Sequence, residues 1–202
     1  MRSLVACLLV LMLVSVGLAD SIAVTPVGAF AGSDDRDFMI GWEFSVSTPV
    51  QITGLAYWDE EEDGLGEAHR VGVFDSATGS LLVDAVVPAG AGAPLLDGYR
   101  YTPTSYLLPV GRYVVGGQQG SDVDRVLLGG NSTITWPGIT FVQHRELPTS
   151  SFVMPTNASS SVGLFGPNLI VGEPIPEPGT LALLGAGLLS LAGLARIRRR
   201  KA

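Results

Sequence analysis

Residues 38–46 alternate between large apolar side chains and small or polar ones, and this period of two constrains the fold more than any other feature. The large side chains are Phe38, Ile40, Trp42, Phe44 and Val46. Such alternation is typical of a β-strand with one buried face, so we expect Trp42 in the core and the intervening residues on the other face.

Similar short segments follow along the chain, rich in Val, aromatic and β-branched residues and separated by Gly, Pro, Asp or Ser. No convincing amphipathic helix interrupts them. Repeated short strands joined by turn residues predict an all-β domain, an antiparallel β-sandwich or jelly roll, over residues 20–172. The other predicted strands are 50–58, 70–74, 81–87, 99–101, 106–108, 112–116, 139–142 and a final region at 162–171.

The N-terminus has the pattern of a signal peptide over residues 1–19. A short positive region, residues 1–3, precedes an apolar stretch over 4–16, and small residues at 17–19 offer a cleavage site. The pattern predicts export. Because Cys7, the single cysteine, lies within this segment, the mature protein has neither a disulfide nor a thiolate metal site.

The C-terminus is built from three consecutive parts. A linker at 173–179 contains the sequence Pro176, Glu177, Pro178, residues 180–197 are predicted to form a transmembrane helix, and 198–202 form a basic cytoplasmic tail. The uncharged run from 180 to 195 reaches about 24 Å at ~1.5 Å per residue, less than a hydrocarbon core of roughly 30 Å, so the span is marginal. The cationic residues at its end are Arg196, Arg198, Arg199, Arg200 and Lys201.

These three parts, in this order at the terminus, resemble the PEP-CTERM signal of Gram-negative bacteria. The resemblance implies an exosortase-type sorting protease as partner, an intermediate held in the inner membrane, and a final location at the cell surface or outside the cell. An ordinary single-pass anchor with a basic stop-transfer segment is the alternative, and it shares every feature except Pro-Glu-Pro.

An internal stretch resembles a β-rich module common in PEP-CTERM proteins. This second resemblance implies a β-rich fold and export, and it transfers no catalytic residue. The residues that carry it include Tyr57-Trp58-Asp59, Asp63-Gly64-Leu65-Gly66, His69-Arg70-Val71-Gly72 and Gly111-Arg112-Tyr113.

The exported part is strongly acidic. All nineteen acidic residues lie between Asp20 and Glu177, where only six arginines accompany them, a balance of −13 against −7 for the whole chain. A surface of this sign excludes nucleic acid as a partner.

The run Asp59-Glu60-Glu61-Glu62-Asp63-Gly64 is the strongest local anomaly. Adjacent carboxylates repel one another, and a hard cation with oxygen ligands would relieve that repulsion. Because alternate residues of an extended loop point the same way, the ligands predicted for a Ca²⁺ ion are Asp59, Glu61 and Asp63. The alternative is a solvated loop without metal. No other cofactor is expected.

Aromatic side chains suggest sugar binding. Tyr57 and Trp58 are adjacent on one predicted strand and must face opposite sides, so we expect one of them to be exposed for stacking on a glycan. Core packing is the alternative for both. His69 and His144 have no local signature of a base or a ligand, and a structural hydrogen bond is the favoured role of His69.

Motifs of common enzymes are missing: the sequence has no G-x-S-x-G elbow, Walker A loop, Rossmann fingerprint or H-E-x-x-H. We therefore expect a non-catalytic exported protein of the cell surface or extracellular matrix, associated with exopolysaccharide. The alternative is a secreted polysaccharide hydrolase that uses scattered carboxylates.

Overall fold

The computed structural model describes residues 19–32, 37–120, 124–159 and 163–172, and these contain strands and no helix. The signal peptide up to residue 18, the linker 173–179, the span 180–197 and the tail 198–202 are predictions that lie outside the described residues. The strands are β1 (Ser21–Ile22), β2 (Val24–Gly32), β3 (Phe38–Val46), β4 (Val50–Trp58), β5 (His69–Asp75), β6 (Leu81–Val87), β7 (Leu95–Leu96), β8 (Tyr99–Leu108), β9 (Gly111–Gln119), β10 (Val126–Thr135), β11 (Ile139–Pro148), β12 (Asn157–Ser159), β13 (Leu164–Phe165) and β14 (Pro167–Gly172).

The described strands form three sheets. A five-stranded sheet has the order β1-β14-β4-β8-β7, a six-stranded sheet the order β12-β11-β3-β9-β5-β6, and a three-stranded sheet the order β13-β10-β2. All their pairings are antiparallel. The prediction of an all-β antiparallel fold is confirmed.

One apolar core joins the two larger sheets. Trp42 and Phe44 of β3 belong to the same buried cluster as Leu55 of β4 and Leu169 of β14. The indole Nε1 of Trp42 also donates a hydrogen bond across the core to the Pro167 carbonyl, at 3.0 Å. Burial of each large apolar side chain contributes about 1.5–3 kcal/mol, so this seam holds the sheets together. The expectation that Trp42 lies in the core is confirmed, since it is fully buried.

The segment 149–156, which connects β11 to β12, covers the outer face of the six-stranded sheet. Phe152 contacts Phe74, with ring centroids 5.6 Å apart. Pro155 packs so closely that a Cβ added at Gly116 would lie 2.9 Å from its Cδ, so only glycine fits at that position. We call residues 149–156 the strap.

Because the strap covers this face, both faces of β3 are buried. Met39 and Glu43 lie on the side that the alternation assigned to solvent, and they are only 0% and 2% exposed. The expectation of a single buried face was therefore wrong. The covering segment follows β3 by about a hundred residues, so no local pattern reports it.

Several strand boundaries differ from expectation. β3, β4 and β6 have the predicted ends, whereas the predicted strands 99–101 and 106–108 are parts of one strand, β8. Pro103, which separates them, lies at an irregularity where β8 pairs with β4. Neither β2 nor β10 was predicted, although the two pair along most of their length.

Candidate functional site

The acidic run begins with a carboxylate that points into the protein. Asp59 is buried, and its Oδ2 accepts hydrogen bonds from Arg100 Nε at 2.7 Å and from the Gly64 backbone N–H at 3.0 Å. The other guanidinium nitrogens of Arg100 donate to the carbonyl oxygens of Glu62, Ala91 and Ala93 at 2.7–2.9 Å. Arg100 thus fastens two loops to β8 and neutralises the innermost acidic side chain.

This arrangement does not bring the predicted calcium ligands together. Glu61 and Asp63 are exposed, whereas Asp59 is buried in its ion pair with Arg100. Among the described residues no group of three or more carboxylate, histidine or cysteine side chains has the geometry of a metal site. The ion pair of Asp59 with Arg100 disfavours calcium at this loop, and the calcium site stays a prediction.

His69 is held in a buried charged cluster behind this loop. Its Nδ1 lies 3.0 Å from the Gln118 carbonyl oxygen and its Nε2 lies 2.8 Å from Asp124 Oδ2. Both neighbouring atoms are oxygen acceptors, so each ring nitrogen of His69 faces a hydrogen-bond acceptor. The ring also stacks on Tyr57, with centroids 3.7 Å apart and planes 2° from parallel. These contacts support the structural role that was favoured for His69.

Asp124 closes this cluster and fixes the loop before β5. Burial alone would raise its pKa, but the hydrogen bond from His69, those from the Gly66 and Glu67 backbone N–H groups and the His69 charge hold the pKa below its ordinary value. Asp124 is therefore ionised in the folded protein, and its hydrogen bonds give it a structural role.

The two aromatic candidates have different surroundings. Tyr57 is fully buried in the core, and burial together with the charges of Asp124 and Glu67 raises its pKa. Its burial removes Tyr57 as a sugar-stacking residue. Trp58 lies on the other face of the five-stranded sheet, partly exposed, and packs against Tyr99. Because Trp58 is partly exposed, it stays the glycan-binding prediction.

Glu43 forms a third buried charged cluster, which the alternation pattern did not indicate. Arg112 Nε lies 2.7 Å from its Oε1, and Arg145 Nε and Gln143 Nε2 donate to its Oε2 at 2.9 and 2.6 Å. Burial alone would raise the pKa of Glu43, but these hydrogen bonds and the two arginine charges lower it below its usual range. In the sequence, the presence of the charged residue Glu43 within an otherwise apolar strand was the one sign of this cluster.

A cavity of about 250 Å³ lies between β10, β11 and β13. Phe141 and His144 are three positions apart on β11 and would face opposite sides of a regular strand. A bulge between Phe141 and Gln143 restores them to the same side. Phe165 of β13 completes the aromatic wall, with ring centroids 5.8 Å from Phe141 and 4.8 Å from His144.

The opposite wall of this cavity comes from β10. This strand has its own bulge between Gly129 and Ser132, and both Gly129 and Gly130 have positive φ, at 89° and 124°. Ser132 and Thr133 also line the cavity. We call the space lined by Gly129, Gly130, Ser132, Thr133, Phe141, His144 and Phe165 the His144 cavity. Sequence analysis missed it because two bulges create it.

Residues 174–200 match the family model of the PEP-CTERM protein-sorting motif. The chain carries a PEP-CTERM sorting motif. The match includes Pro176, Glu177 and Pro178 and ends at Arg200, so the resemblance inferred from the sequence is confirmed. Neither the curated proteins nor the solved structures gave a match.

The PEP-CTERM motif implies an exported protein that is anchored transiently in the membrane and processed by an exosortase. The sorting residues and the basic residues that follow them lie outside the described part of the structure. Among the described residues there is no helix with the length and hydropathy of a membrane span. The strands within residues 57–113 are consistent with the β-rich module of the second resemblance.

Proposed function

We propose that this protein is a non-catalytic component of the cell surface or extracellular matrix, delivered as a β-sandwich domain and associated with exopolysaccharide. The PEP-CTERM motif at 174–200 carries the proposal. In the proposed sorting route, a signal peptidase first removes residues 1–19. The apolar segment 180–197 then holds the chain in the inner membrane until an exosortase cleaves near Pro176–Pro178.

The internal pairing of the buried carboxylates supports a role without chemistry. Glu43 is bonded to two arginines, Asp59 to Arg100 and Asp124 to His69. Polysaccharide hydrolysis needs two carboxyl groups about 5–9.5 Å apart on either side of a substrate cleft. The His144 cavity is lined by no carboxylate.

Trp58 supports association with a polysaccharide. A partly exposed indole on a sheet surface offers an apolar face for a sugar ring and an N–H donor for its hydroxyl groups. The acidic body disfavours a strongly anionic polymer, since about thirteen net negative charges repel it. A neutral exopolysaccharide is therefore the proposed partner.

Sorting is tested with two matched substitutions in the linker, Glu177→Gln and Glu173→Gln. Each removes one carboxylate, but only Glu177 lies within the Pro-Glu-Pro sequence. Cell fractionation should find Glu177→Gln retained in the inner membrane and Glu173→Gln distributed like the natural protein. Equal release of both variants would refute recognition through Glu177.

The matrix role is tested with protein purified from its host and exopolysaccharide from the same host. We expect retention on the polymer without release of reducing ends, and weaker retention of Trp58→Ala. Release of reducing ends that disappears when an exposed carboxylate such as Glu61 is replaced would establish a hydrolase instead. Absence of retention would refute the polymer partner and leave the sorting result unaffected.

A further inference from the structure

The described domain begins and ends at the same end of the sandwich. Strand β1 pairs with the last residues of β14, with Ser21 opposite Val171. Gly172 lies in one row of the five-stranded sheet with Gln51 of β4 and Leu107 of β8. Since neighbouring strands are about 4.8 Å apart, Leu107 lies roughly 10 Å from the residue at which the chain continues into the linker. The surface around Gly172 is therefore the part of the domain that the linker holds closest to its anchor.

This surface is uncharged and partly apolar. Four connections between strands meet there, and none of them contains a charged residue: 47–49, 76–80, 109–110 and 136–138. A hydrogen bond from the Ser47 N–H to the Gly138 carbonyl joins two of them. Leu107 and Val110 are large apolar side chains that are 55% and 63% exposed. We call Leu107 and these four connections the anchor end.

The charged groups beside the anchor end add little net charge. Asp75 Oδ1 accepts hydrogen bonds from the backbone N–H groups of the following turn, and Arg112 is paired with Glu43. Asp20 lies beside Gly172. Removal of residues 1–19 leaves the α-amino group on Asp20, which balances the carboxylate of the same residue.

The opposite end of the sandwich is acidic. The described parts of its connections contain one arginine, Arg125, and nine acidic residues: Asp37, Asp59, Glu60, Glu61, Glu62, Asp63, Glu67, Asp97 and Asp124. Ion pairs neutralise two of these, Asp59 and Asp124. A lipid surface with anionic headgroups repels the remaining carboxylates. The charge of the domain is thus distributed so that the anchor end is the end such a surface tolerates.

The linker limits how the domain can be oriented on a membrane. Seven residues, 173–179, connect Gly172 to the apolar segment, and a fully extended chain of that length spans at most about 25 Å. Strands of nine or ten residues make the sandwich about 30 Å long. The acidic end therefore cannot face the bilayer while the apolar segment spans it, because Gly172 would then lie farther away than the linker reaches.

We propose that the anchor end docks on the lipid surface of the inner membrane in the anchored intermediate, with Leu107 and Val110 in contact with the headgroup layer. The proposal rests on the proposed function, in which the apolar segment 180–197 holds the chain in the membrane. Exposed apolar side chains gain free energy when they leave water at a lipid interface, and the short linker keeps them within reach of it. Trp58, the last residue of β4, lies at the acidic end and stays accessible to a polymer.

The test uses the chain from residue 20 to residue 202, purified from cells that lack the exosortase and reconstituted into vesicles of phosphatidylethanolamine and phosphatidylglycerol. Cys7 is the single cysteine and is removed with the signal peptide, so an introduced cysteine carries a fluorescent label at one known position. Val110→Cys places the label at the anchor end. Val86→Cys is the matched control, because Val86 is 52% exposed and precedes the last residue of β6, at the acidic end.

Nitroxide groups on the lipid headgroups quench a fluorophore that lies close to them. They should quench the label at position 110 at least twice as strongly as the label at position 86. Equal quenching at the two positions would overturn the proposal, since the domain would then lie on its side or rotate freely on its linker.

The contribution of the apolar side chains is measured with Val110→Asp, in a chain labelled through Thr48→Cys at the anchor end. The added carboxylate should reduce quenching at position 48 at least twofold without changing the melting temperature, because residue 110 is exposed. Val86→Asp adds the same charge at the other end and should leave the quenching as it was. Should Val110→Asp fail to fold, Leu107→Asp serves in its place, with the same expected loss. Unchanged quenching in a folded variant would overturn the proposal.

Flotation of the vesicles separates failure of this proposal from failure of the proposed function. A chain that floats with the vesicles but is quenched equally at positions 110 and 86 would reject the docked orientation and keep the membrane intermediate. A chain that does not float would refute the membrane step of the proposed function, and the docking proposal with it.

Discussion

Replacement of Arg100 by Met should be among the most destabilising single changes in the domain. The guanidinium makes one bond to Asp59 and three to the carbonyls of Glu62, Ala91 and Ala93, all at 2.7–2.9 Å. Met fills a similar volume but leaves a buried carboxylate without its cation. Breaking a buried ion pair costs about 3–5 kcal/mol, a large part of the ~5–15 kcal/mol that stabilises a typical domain.

Urea denaturation of the exported protein, followed by tryptophan fluorescence, measures this cost. With a slope of about 2 kcal/mol per molar, the midpoint should fall by roughly 2 M. The matched control is Arg125→Met, which breaks the exposed pair with Glu60 and should cost ~0–1 kcal/mol. Adding Asp59→Leu to Arg100→Met should restore part of the loss. Equal effects of the two arginine substitutions would refute the assignment of Arg100 as the residue that fastens the acidic loop.

Three further predictions follow from the charged clusters. The folded pKa of Asp124 is lowered, so its contribution to stability is complete above the unfolded pKa of about 3.9 and is lost as the pH falls through the folded pKa. Asp124→Asn should therefore weaken the fall of the melting temperature at acidic pH. An unchanged acid dependence of the melting temperature would contradict this role of Asp124. Glu43→Gln leaves Arg112 and Arg145 without their anion, but these side chains are 56% and 21% exposed, so stability should fall by about 1–2 kcal/mol in urea titration; a cost near zero would show that the cluster contributes little. Millimolar calcium should leave the melting temperature the same as in chelator, because Asp59 is already ion-paired with Arg100. A higher melting temperature in calcium would support a calcium site instead.

The local sequence pattern was enough to predict the strands whose own residues carry a clear strand signal. β3, β4 and β6 alternate or carry β-branched residues and end at turn residues, so their bounds could be read directly. The bounds of β10 could not be predicted in this way, because Gly129 and Gly130 have the composition of a turn and in fact belong to a bulge, where both have positive φ. Its partner β2 contains Pro26 and Gly28 and lies about a hundred residues earlier, beyond any local pattern.

The candidate sites depended on contacts between distant residues, and the sequence predicted them least well. The acidic run could be recognised in the sequence from its charges. The burial of the Asp59 side chain could not, because it depends on the ion pair with Arg100, forty-one positions later. Tyr57 and Trp58 were correctly expected to face opposite sides, yet which side is buried depends on the stacking of Tyr57 against His69. The sorting motif was predictable because its order along the chain is itself the signal.

The most direct test of the sorting account is the intact mass of the exported protein from its own host. The account predicts a mature chain that begins near Asp20 and ends near the Pro176–Pro178 sequence, without the apolar segment and basic tail. Cells that lack the exosortase should instead yield a membrane-bound chain that extends to Ala202. Exported molecules that all retain Ala202 in the presence of the exosortase would contradict the account.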